Sequence, residues 1–251
     1  MPDFDSDGVR IAYDDVGSGP PIVLVHGFAA NVEFNWARPG WIDALTGAGR
    51  RVVALDCRGH GRSDKPLDPA AYGGDLMPSD VLRLMDHLEI ERADLMGYSM
   101  GGAISMALIT THPERFRSAV LGGVGGGRPN RDRKAIAQAL SANVGPGGAD
   151  AVSRAFRAFA TSTGADLKAL AAVMRSERPA VSPEALSRVR IPVMIVIGEQ
   201  DDLVGDARPL ADAIPAARLV TLPGRDHLTA VGDPLYKRAV LEFLSDSSGS
   251  E

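Results

Sequence analysis

The chain has 251 residues, of which 45% are hydrophobic and 24% charged, and its formal net charge is −5. This length and balance suit one globular α/β domain, and the single cysteine, Cys57, excludes an intramolecular disulfide. The sequence has no basic run, no signal-peptide start and no apolar run near the ~18–20 residues of a membrane span. We therefore expect a cytoplasmic protein that binds neither nucleic acid nor a membrane.

The first predicted element is a β-hairpin, because residues 4–16 form two polar–apolar stretches around Asp7-Gly8. An Asp-Gly pair favours a tight turn, since both residues accept a positive φ. Continuous apolar runs then predict parallel strands buried on both faces, at 22–25, 51–55, 93–96, 119–121, 193–197 and 218–222. Helical patterns lie between them, at 41–48, 79–88, 101–111, 207–214 and 234–244. The alternation predicts an α/β fold, with a mostly parallel sheet and helices on both of its faces.

Residues 128–188 break this alternation of strands and helices. The segment is rich in alanine, contains no strand-like run, and carries large apolar residues at helical spacing: Phe156, Phe159, Leu167, Leu170 and Met174. We interpret it as a small helical cap. The cap is inserted into a core domain that comprises residues 1–127 and 189–251.

A candidate nucleophile follows the predicted strand at 93–96. Gly97-Tyr98-Ser99-Met100-Gly101 matches the pattern G-x-S-x-G, and a helix is predicted directly after it. The pattern acquires meaning from this strand–turn–helix context, in which a strained turn exposes the serine hydroxyl. Side chains at the two flanking glycines would collide across such a turn. The sequence therefore predicts Ser99 as the nucleophile, against the alternative that it only caps the helix.

With further motifs, the chain resembles the α/β-hydrolase superfamily over nearly its whole length. These motifs are Val25-His26-Gly27-Phe28, residues 56–63, residues 112–116, residues 198–204 and Asp226-His227. The resemblance implies an eight-stranded α/β-hydrolase fold. The turn at residues 97–101, known in this family as the nucleophile elbow, and the cap are similar to those of small carboxylesterases and enol-lactone hydrolases. Serine at position 99 argues against dehalogenases and epoxide hydrolases, whose nucleophile is aspartate. The loop Phe28-Ala29-Ala30-Asn31 differs from the glycine–proline-rich loop of many carbon–carbon bond hydrolases.

The general base is predicted to be His227. A serine hydroxyl needs such a base, because it is almost fully protonated at neutral pH. His227 follows the last strand, and in a parallel sheet that loop lies at the same edge as the elbow. Of the other histidines, we expect His26 to brace its loop and His60 to stay out of contact with the substrate. His87 and His112 are expected to be surface, boundary or helix-end residues.

The acid that orients the base is predicted to be Asp201, with Asp202 as the alternative. Both follow the strand at 193–197, and the family pattern G-x-x-D-x-x-V falls on Asp201. The other acid position found in the family lies after the sixth strand, where residues 122–127 contain no carboxylate. Asp226 adjoins the base in sequence and is poorly placed to reach its Nδ1.

The resemblance also implies the oxyanion hole and part of the substrate pocket. The backbone N–H groups of Phe28 and Met100 are the expected oxyanion donors. We expect the side chains of Phe28, Tyr98 and Met100 to line the pocket beside cap residues such as Phe156 and Phe159.

These residues predict a serine hydrolase that cleaves small to medium, largely apolar esters or lactones through an acyl-enzyme. No metal-ligand or dinucleotide-binding motif is evident, so we expect neither a metal nor a cofactor. Three alternatives remain: carbon–carbon bond hydrolysis, cofactor-free perhydrolysis or haloperoxidation on the same triad, and a non-catalytic ligand receptor. A small-molecule substrate is the expected partner, and a homodimer remains open.

Overall fold

The computed structural model describes residues 2–126, 133–141, 150–215 and 217–248. Its centre is an eight-stranded sheet in the order β1-β2-β4-β3-β5-β6-β7-β8. The strands are β1 (Asp3–Ser6), β2 (Val9–Val16), β3 (Pro21–Val25), β4 (Arg51–Leu55), β5 (Ala93–Tyr98), β6 (Phe116–Gly122), β7 (Val193–Gly198) and β8 (Ala217–Leu222). Strand β2 pairs antiparallel with β1 and β4, and all other pairs are parallel. The predicted mostly parallel sheet with an edge hairpin is confirmed.

Helices cover both faces of the sheet. They are α1 (Trp41–Gly47), α2 (Leu76–His87), α3 (Met100–Thr111), α4 (Arg133–Ser141), α5 (Ala151–Ser162), α6 (Leu167–Arg175), α7 (Pro183–Leu186), α8 (Arg208–Ala213) and α9 (Pro234–Ser248). Helices α2, α3 and α8 contribute to one buried apolar cluster, and α1 and α9 contribute to the other. None of the helices in the described ranges is both long and apolar enough to span a bilayer.

Two elements begin three residues earlier than the sequence predicts, for identifiable reasons. Strand β6 begins at Phe116 rather than 119, because the polar residues Arg117 and Ser118 hide its start. Both are satisfied inside the sheet, since the Ser118 hydroxyl and the Arg117 guanidinium each reach the Asp94 carboxylate. Helix α2 begins at Leu76 rather than 79, since Pro78 lies in its first turn, where no intrahelical N–H is required.

Helices α4 to α7 lie in the sequence between β6 and β7, and these four helices are referred to below as the cap. Helix α4 packs on α5 and α6, and α5 contributes to the wall of a cavity at that edge. The first boundary of the predicted cap, at residues 127 and 128, lies outside the described residues. The division into a core and a cap of 128–188 therefore stays a prediction.

Candidate active site

Ser99 occupies a sharp turn between β5 and α3, with its backbone at φ 55° and ψ −110°. A serine adopts such a φ only where the surrounding structure enforces it. The neighbouring glycines leave the necessary space, because a Cβ on Gly97 would overlap the Gly101 carbonyl group and one on Gly101 would overlap that of Val25. The turn thus places a half-buried serine at the carboxyl edge of the sheet.

Three side chains from three separate loops meet at this edge. His227 Nε2 lies 2.8 Å from Ser99 Oγ, and His227 Nδ1 lies 2.7 Å from Asp201 Oδ2. An ionised carboxylate only accepts hydrogen bonds, so Nδ1 carries the imidazole hydrogen and Nε2 presents its lone pair to the serine. The arrangement suits removal of the serine proton by the imidazole.

The loop after β7 holds Asp201 in a buried position. Its side chain is 0% exposed, and the second carboxylate oxygen accepts a hydrogen bond of 3.1 Å from the Leu203 N–H. The same loop joins the histidine loop, since Gln200 N–H donates to the Arg225 carbonyl at 2.8 Å. Asp202, the alternative predicted from the sequence, is exposed. The geometry therefore brings Asp201 to the imidazole and leaves Asp202 in solvent.

Tyr98 contacts both the backbone and the ring of His227. Its hydroxyl donates to the His227 carbonyl oxygen at 2.6 Å, and its ring centroid lies 5.4 Å from that of the imidazole. Burial raises the pKa of Tyr98 well above its ordinary value, so the phenol keeps its proton and remains a donor. The sequence predicted Tyr98 only as a pocket residue, and its contact with the histidine backbone was missed.

Phe28 and Met100 supply backbone N–H groups on either side of the serine. Met100 is the first residue of α3, and Phe28 follows Gly27, whose backbone lies against Ser99. Within the described part of the chain neither N–H has a hydrogen-bond acceptor. Two N–H groups that are free of protein acceptors are what an oxyanion hole requires.

The peptide group between Gly27 and Phe28 is held firmly at its carbonyl end. Gly27 O accepts hydrogen bonds from His26 Nδ1 at 2.7 Å and from Ala30 N–H at 3.2 Å. His26 Nε2 in turn accepts a bond from the backbone N–H of Cys57, so this buried imidazole is neutral and fully bonded. Burial lowers its pKa, in keeping with that state. The histidine that was expected to brace its loop is therefore in contact with the peptide that carries a candidate oxyanion donor.

Asn35 fixes the same loop from the other side. It lies in a short π-helix (Glu33–Ala37), and its Oδ1 accepts a hydrogen bond of 2.9 Å from the Gly27 N–H. Asn35 was not predicted from the sequence. A lone asparagine in a polar stretch carries no periodic signal, and its partner is known only once β3 has been placed.

A cavity of about 380 Å³ opens above the serine. Ser99, His227 and Tyr98 lie in its wall, and most of the remaining lining is apolar, including Phe28, Phe34, Phe156, Phe159, Leu203 and Leu228. Among the described lining residues there is no Lys, Arg, Asp or Glu. Of the five predicted pocket residues, Phe28, Tyr98, Phe156 and Phe159 lie in this wall. The Met100 side chain does not, because it packs into the core cluster beneath the elbow.

Comparisons with known proteins identify the family of this fold. A family model described as the alpha/beta hydrolase fold matches residues 20–137. A solved structure of a hydrolase from Pseudomonas aeruginosa PA01 is 30% identical with a TM-score of 0.76, and the alignment covers 96% of each chain. The chain belongs to the α/β-hydrolase superfamily.

Two further relatives of this α/β-hydrolase have more specific names. The enol-lactonase from Burkholderia xenovorans LB400 is 26% identical with a TM-score of 0.79, over 97% of this chain and 100% of that one. The 2-hydroxymuconate semialdehyde hydrolase of Pseudomonas sp. (strain CF600) is 40% identical over 119 residues, which are 47% of this chain and 41% of that protein. The chain thus aligns with less than half the length of the latter relative.

The remaining histidines of this α/β-hydrolase lie away from the serine hydroxyl. His60 is fully buried and packs edge-on against the rings of His26 and Phe28, at centroid distances of 5.1 and 5.8 Å. His87 stacks on Phe4, and His112 contacts Thr111 at the end of α3. In the ranges that the structure describes, no three His, Cys, Asp or Glu side chains are grouped as a metal site would require.

Proposed function

We propose that this protein is a serine hydrolase that cleaves uncharged carboxylic esters or lactones through an acyl-enzyme. The observation that carries the proposal is the continuous hydrogen-bonded line from Asp201 through His227 to Ser99, which ends in an apolar cavity. A hydroxyl, an imidazole and a carboxylate in this order form the arrangement that makes serine nucleophilic in unrelated folds.

The proposed reaction has two steps. Ser99 Oγ attacks the carbonyl carbon while His227 Nε2 takes the hydroxyl proton, and the oxyanion accepts hydrogen bonds from the N–H groups of Phe28 and Met100. His227 then returns the proton to the leaving alcohol, and Asp201 stabilises the imidazolium in between. In the second step the same imidazole takes a proton from water, which releases the acid and restores Ser99.

The character of the cavity supports a neutral substrate. A carboxylate placed among Phe28, Phe156 and Leu203 would lose its hydration without gaining a cationic partner, and this is costly. The name of the relative from Pseudomonas sp. denotes a muconate, which is an anionic compound, so that substrate class fits this cavity poorly. An ester or lactone places only its polar carbonyl at the N–H groups and its apolar parts on the wall.

The test is a panel of aryl esters of rising acyl length, with labelling by a fluorophosphonate probe that reacts with activated serines. We expect wild-type protein to turn over short and medium esters and to be labelled. Ser99→Ala should lose both, with turnover reduced about 10⁶-fold. Ser105→Ala, a change at a buried serine in α3 outside the cavity wall, is the matched control and should behave as wild type. Undiminished turnover by Ser99→Ala would remove Ser99 from its role.

Perhydrolysis and carbon–carbon bond hydrolysis would use the same triad, and additional substrates in the same assay distinguish them from ester hydrolysis. Hydrogen peroxide in place of water as acyl acceptor gives a peracid, so peracid formation measures perhydrolysis. A vinylogous keto acid offered as substrate measures carbon–carbon bond hydrolysis. We expect both rates to fall below ester hydrolysis. Stoichiometric retention of ligand without turnover would instead favour a receptor.

A further inference from the structure

A threonine side chain forms a hydrogen bond between the cap and the loop that carries the Phe28 donor. Thr163 is the C-cap residue that follows α5, and its Oγ1 lies 2.7 Å from the carbonyl oxygen of Ala29, 134 positions away in sequence. The same oxygen lies 3.0 Å from the carbonyl of Ala160. A hydroxyl has one hydrogen to donate, and the shorter distance favours Ala29 as its acceptor.

From Ala29 the hydrogen bonds continue to the oxyanion hole. The carbonyl of Ala29 and the N–H of Ala30 belong to one peptide group, and that N–H donates to Gly27 O at 3.2 Å. Gly27 O and the Phe28 N–H belong to the next peptide group in the series. Thus hydrogen bonds join the Thr163 hydroxyl to two successive peptide groups, and the second of these groups contains the Phe28 N–H. Hydrogen bonds in such a row polarise one another.

The backbone at this point needs external support. Ala29 has φ 61°, a conformation that residues with a Cβ rarely adopt, and it directly follows the donor residue. Besides the threonine, α5 contacts this loop through Phe156, whose ring lies edge-on to the Phe28 ring at 5.7 Å. The position of α5 is therefore transmitted to the loop at two places, and one of them is a directional hydrogen bond.

We propose that Thr163 is a positioning residue for the oxyanion hole: its hydroxyl fixes the Ala29 carbonyl and thereby holds the Phe28 N–H in line with the oxyanion. The inference rests on the proposed function, because it assigns Phe28 N–H to the stabilisation of a tetrahedral intermediate. It makes the cap a contributor to transition-state stabilisation as well as to the wall of the cavity.

The chain offers a closely matched control for this role. Thr161 lies two positions away, is exposed, and donates its hydroxyl only to the carbonyl of Arg157 in its own helix, at 2.9 Å. Threonine and valine have the same shape. Thr163→Val and Thr161→Val therefore make the same chemical change, loss of a hydroxyl, near the end of the same helix. Only the first change affects the oxyanion loop. Thr163→Ser keeps the donor and serves as the conservative variant.

The experiment measures kcat, KM and the inhibition constant of a trifluoromethyl ketone, which adds to the serine oxygen and forms a tetrahedral oxyanion. For Thr163→Val we expect kcat to fall about five- to tenfold, well short of the ~10²–10³ loss that follows removal of a whole donor. KM should stay within about twofold, because the hole acts on the transition state rather than on the bound ester. The inhibition constant should rise by the same factor as kcat falls. Thr163→Ser should restore both values, and Thr161→Val should match wild type.

Two results would overturn the inference while leaving the proposed function intact. One is an unchanged kcat in folded Thr163→Val. The other is a rise in KM without a parallel loss of ketone affinity, which would show that the hydroxyl only shapes the pocket. Thermal unfolding of each variant, with Thr163→Ala as a second substitution, separates these results from loss of the fold. Wild-type protein that neither hydrolyses esters nor binds the ketone would overturn the proposed function and this inference with it.

Discussion

The sheet edge and the cap face each other across the cavity, and they hold their residues by different interactions. At the edge, Ser99, His227 and Asp201 are joined by hydrogen bonds of 2.7–2.8 Å and supported by backbone conformations that only particular residues accept. In the cap, Phe156 and Phe159 are half-buried on one side of α5 and meet the cavity through apolar surface.

The two kinds of interaction differ in how strictly they depend on geometry and in how readily one residue can replace another. Hydrogen bonds depend on distance, angle and residue type, whereas apolar contacts are non-directional and tolerate residues of similar volume. Substitutions at the edge should therefore act on kcat for every substrate. Substitutions in the cap should act on the choice among substrates, with Thr163 as the exception, because its contact with the edge is directional.

The largest effect in the comparison is expected at the carboxylate. Asp201→Asn keeps the shape of the side chain but removes the charge that stabilises the imidazolium, so we expect kcat to fall about 10⁴-fold. Asp202→Asn makes the same chemical change one residue away, on an exposed side chain, and should leave kcat within about twofold. Steady-state kinetics on the best ester of the panel compare the two. The reverse ranking would move the acid to position 202 and contradict the geometry described above.

The same contrast decides how much could be predicted from the sequence. The elbow, His227 and the Asp201-Asp202 pair follow strand ends, and parallel strands bring their carboxyl ends to one edge. A pattern along the chain therefore predicted the elbow and His227 but left two candidates for the acid. Phe156 and Phe159 were identified in the cap by helical spacing alone. Thr163 and Asn35 were missed, since each acts on one backbone atom of a loop whose position depends on the complete fold.

A smaller effect is expected from enlarging the cap side of the cavity. Phe156→Ala removes a ring that contacts Phe28, and the space favours longer acyl groups. We expect the ratio of kcat/KM for a two-carbon acyl ester to that for an eight-carbon one to fall about tenfold, or ~1.4 kcal/mol, which is the scale of a partly buried apolar group. Val152→Ala removes less apolar surface from the same cavity wall, at a more exposed residue, and should alter this ratio less than threefold.

The dependence of the Phe156→Ala effect on acyl chain length distinguishes two roles of the ring. An equal loss of kcat for all chain lengths in Phe156→Ala would show that the ring acts through Phe28 on the oxyanion hole. The cap would then be coupled to the chemistry by its apolar surface as well as by Thr163. A changed preference at constant kcat for the best substrate would keep the two regions distinct.

The smallest expected effect falls on stability and again belongs to the edge rather than the cap. His60 packs against the rings of Phe28 and His26, and its complete burial, with a smaller contribution from the neighbouring imidazole, lowers the pKa of His60 to about 3. In the unfolded chain the imidazole takes a proton as the pH falls below its ordinary pKa of ~6.5, whereas the folded state refuses that proton until about pH 3. The contribution of His60 to stability is therefore complete above pH 6.5 and is lost as the pH falls from 6.5 towards 3.

Between pH 7 and pH 5.5, His60→Gln should lose about 1 kcal/mol less free energy of unfolding than wild type, as measured by urea denaturation at both values. Taking the difference between two pH values cancels any constant destabilisation by the substitution. His112→Gln, a change at an exposed histidine, should reproduce the wild-type loss. Equal losses in wild type and His60→Gln would mean that the interior behind the oxyanion loop admits a proton, and the firm support attributed to this side of the cavity would no longer hold.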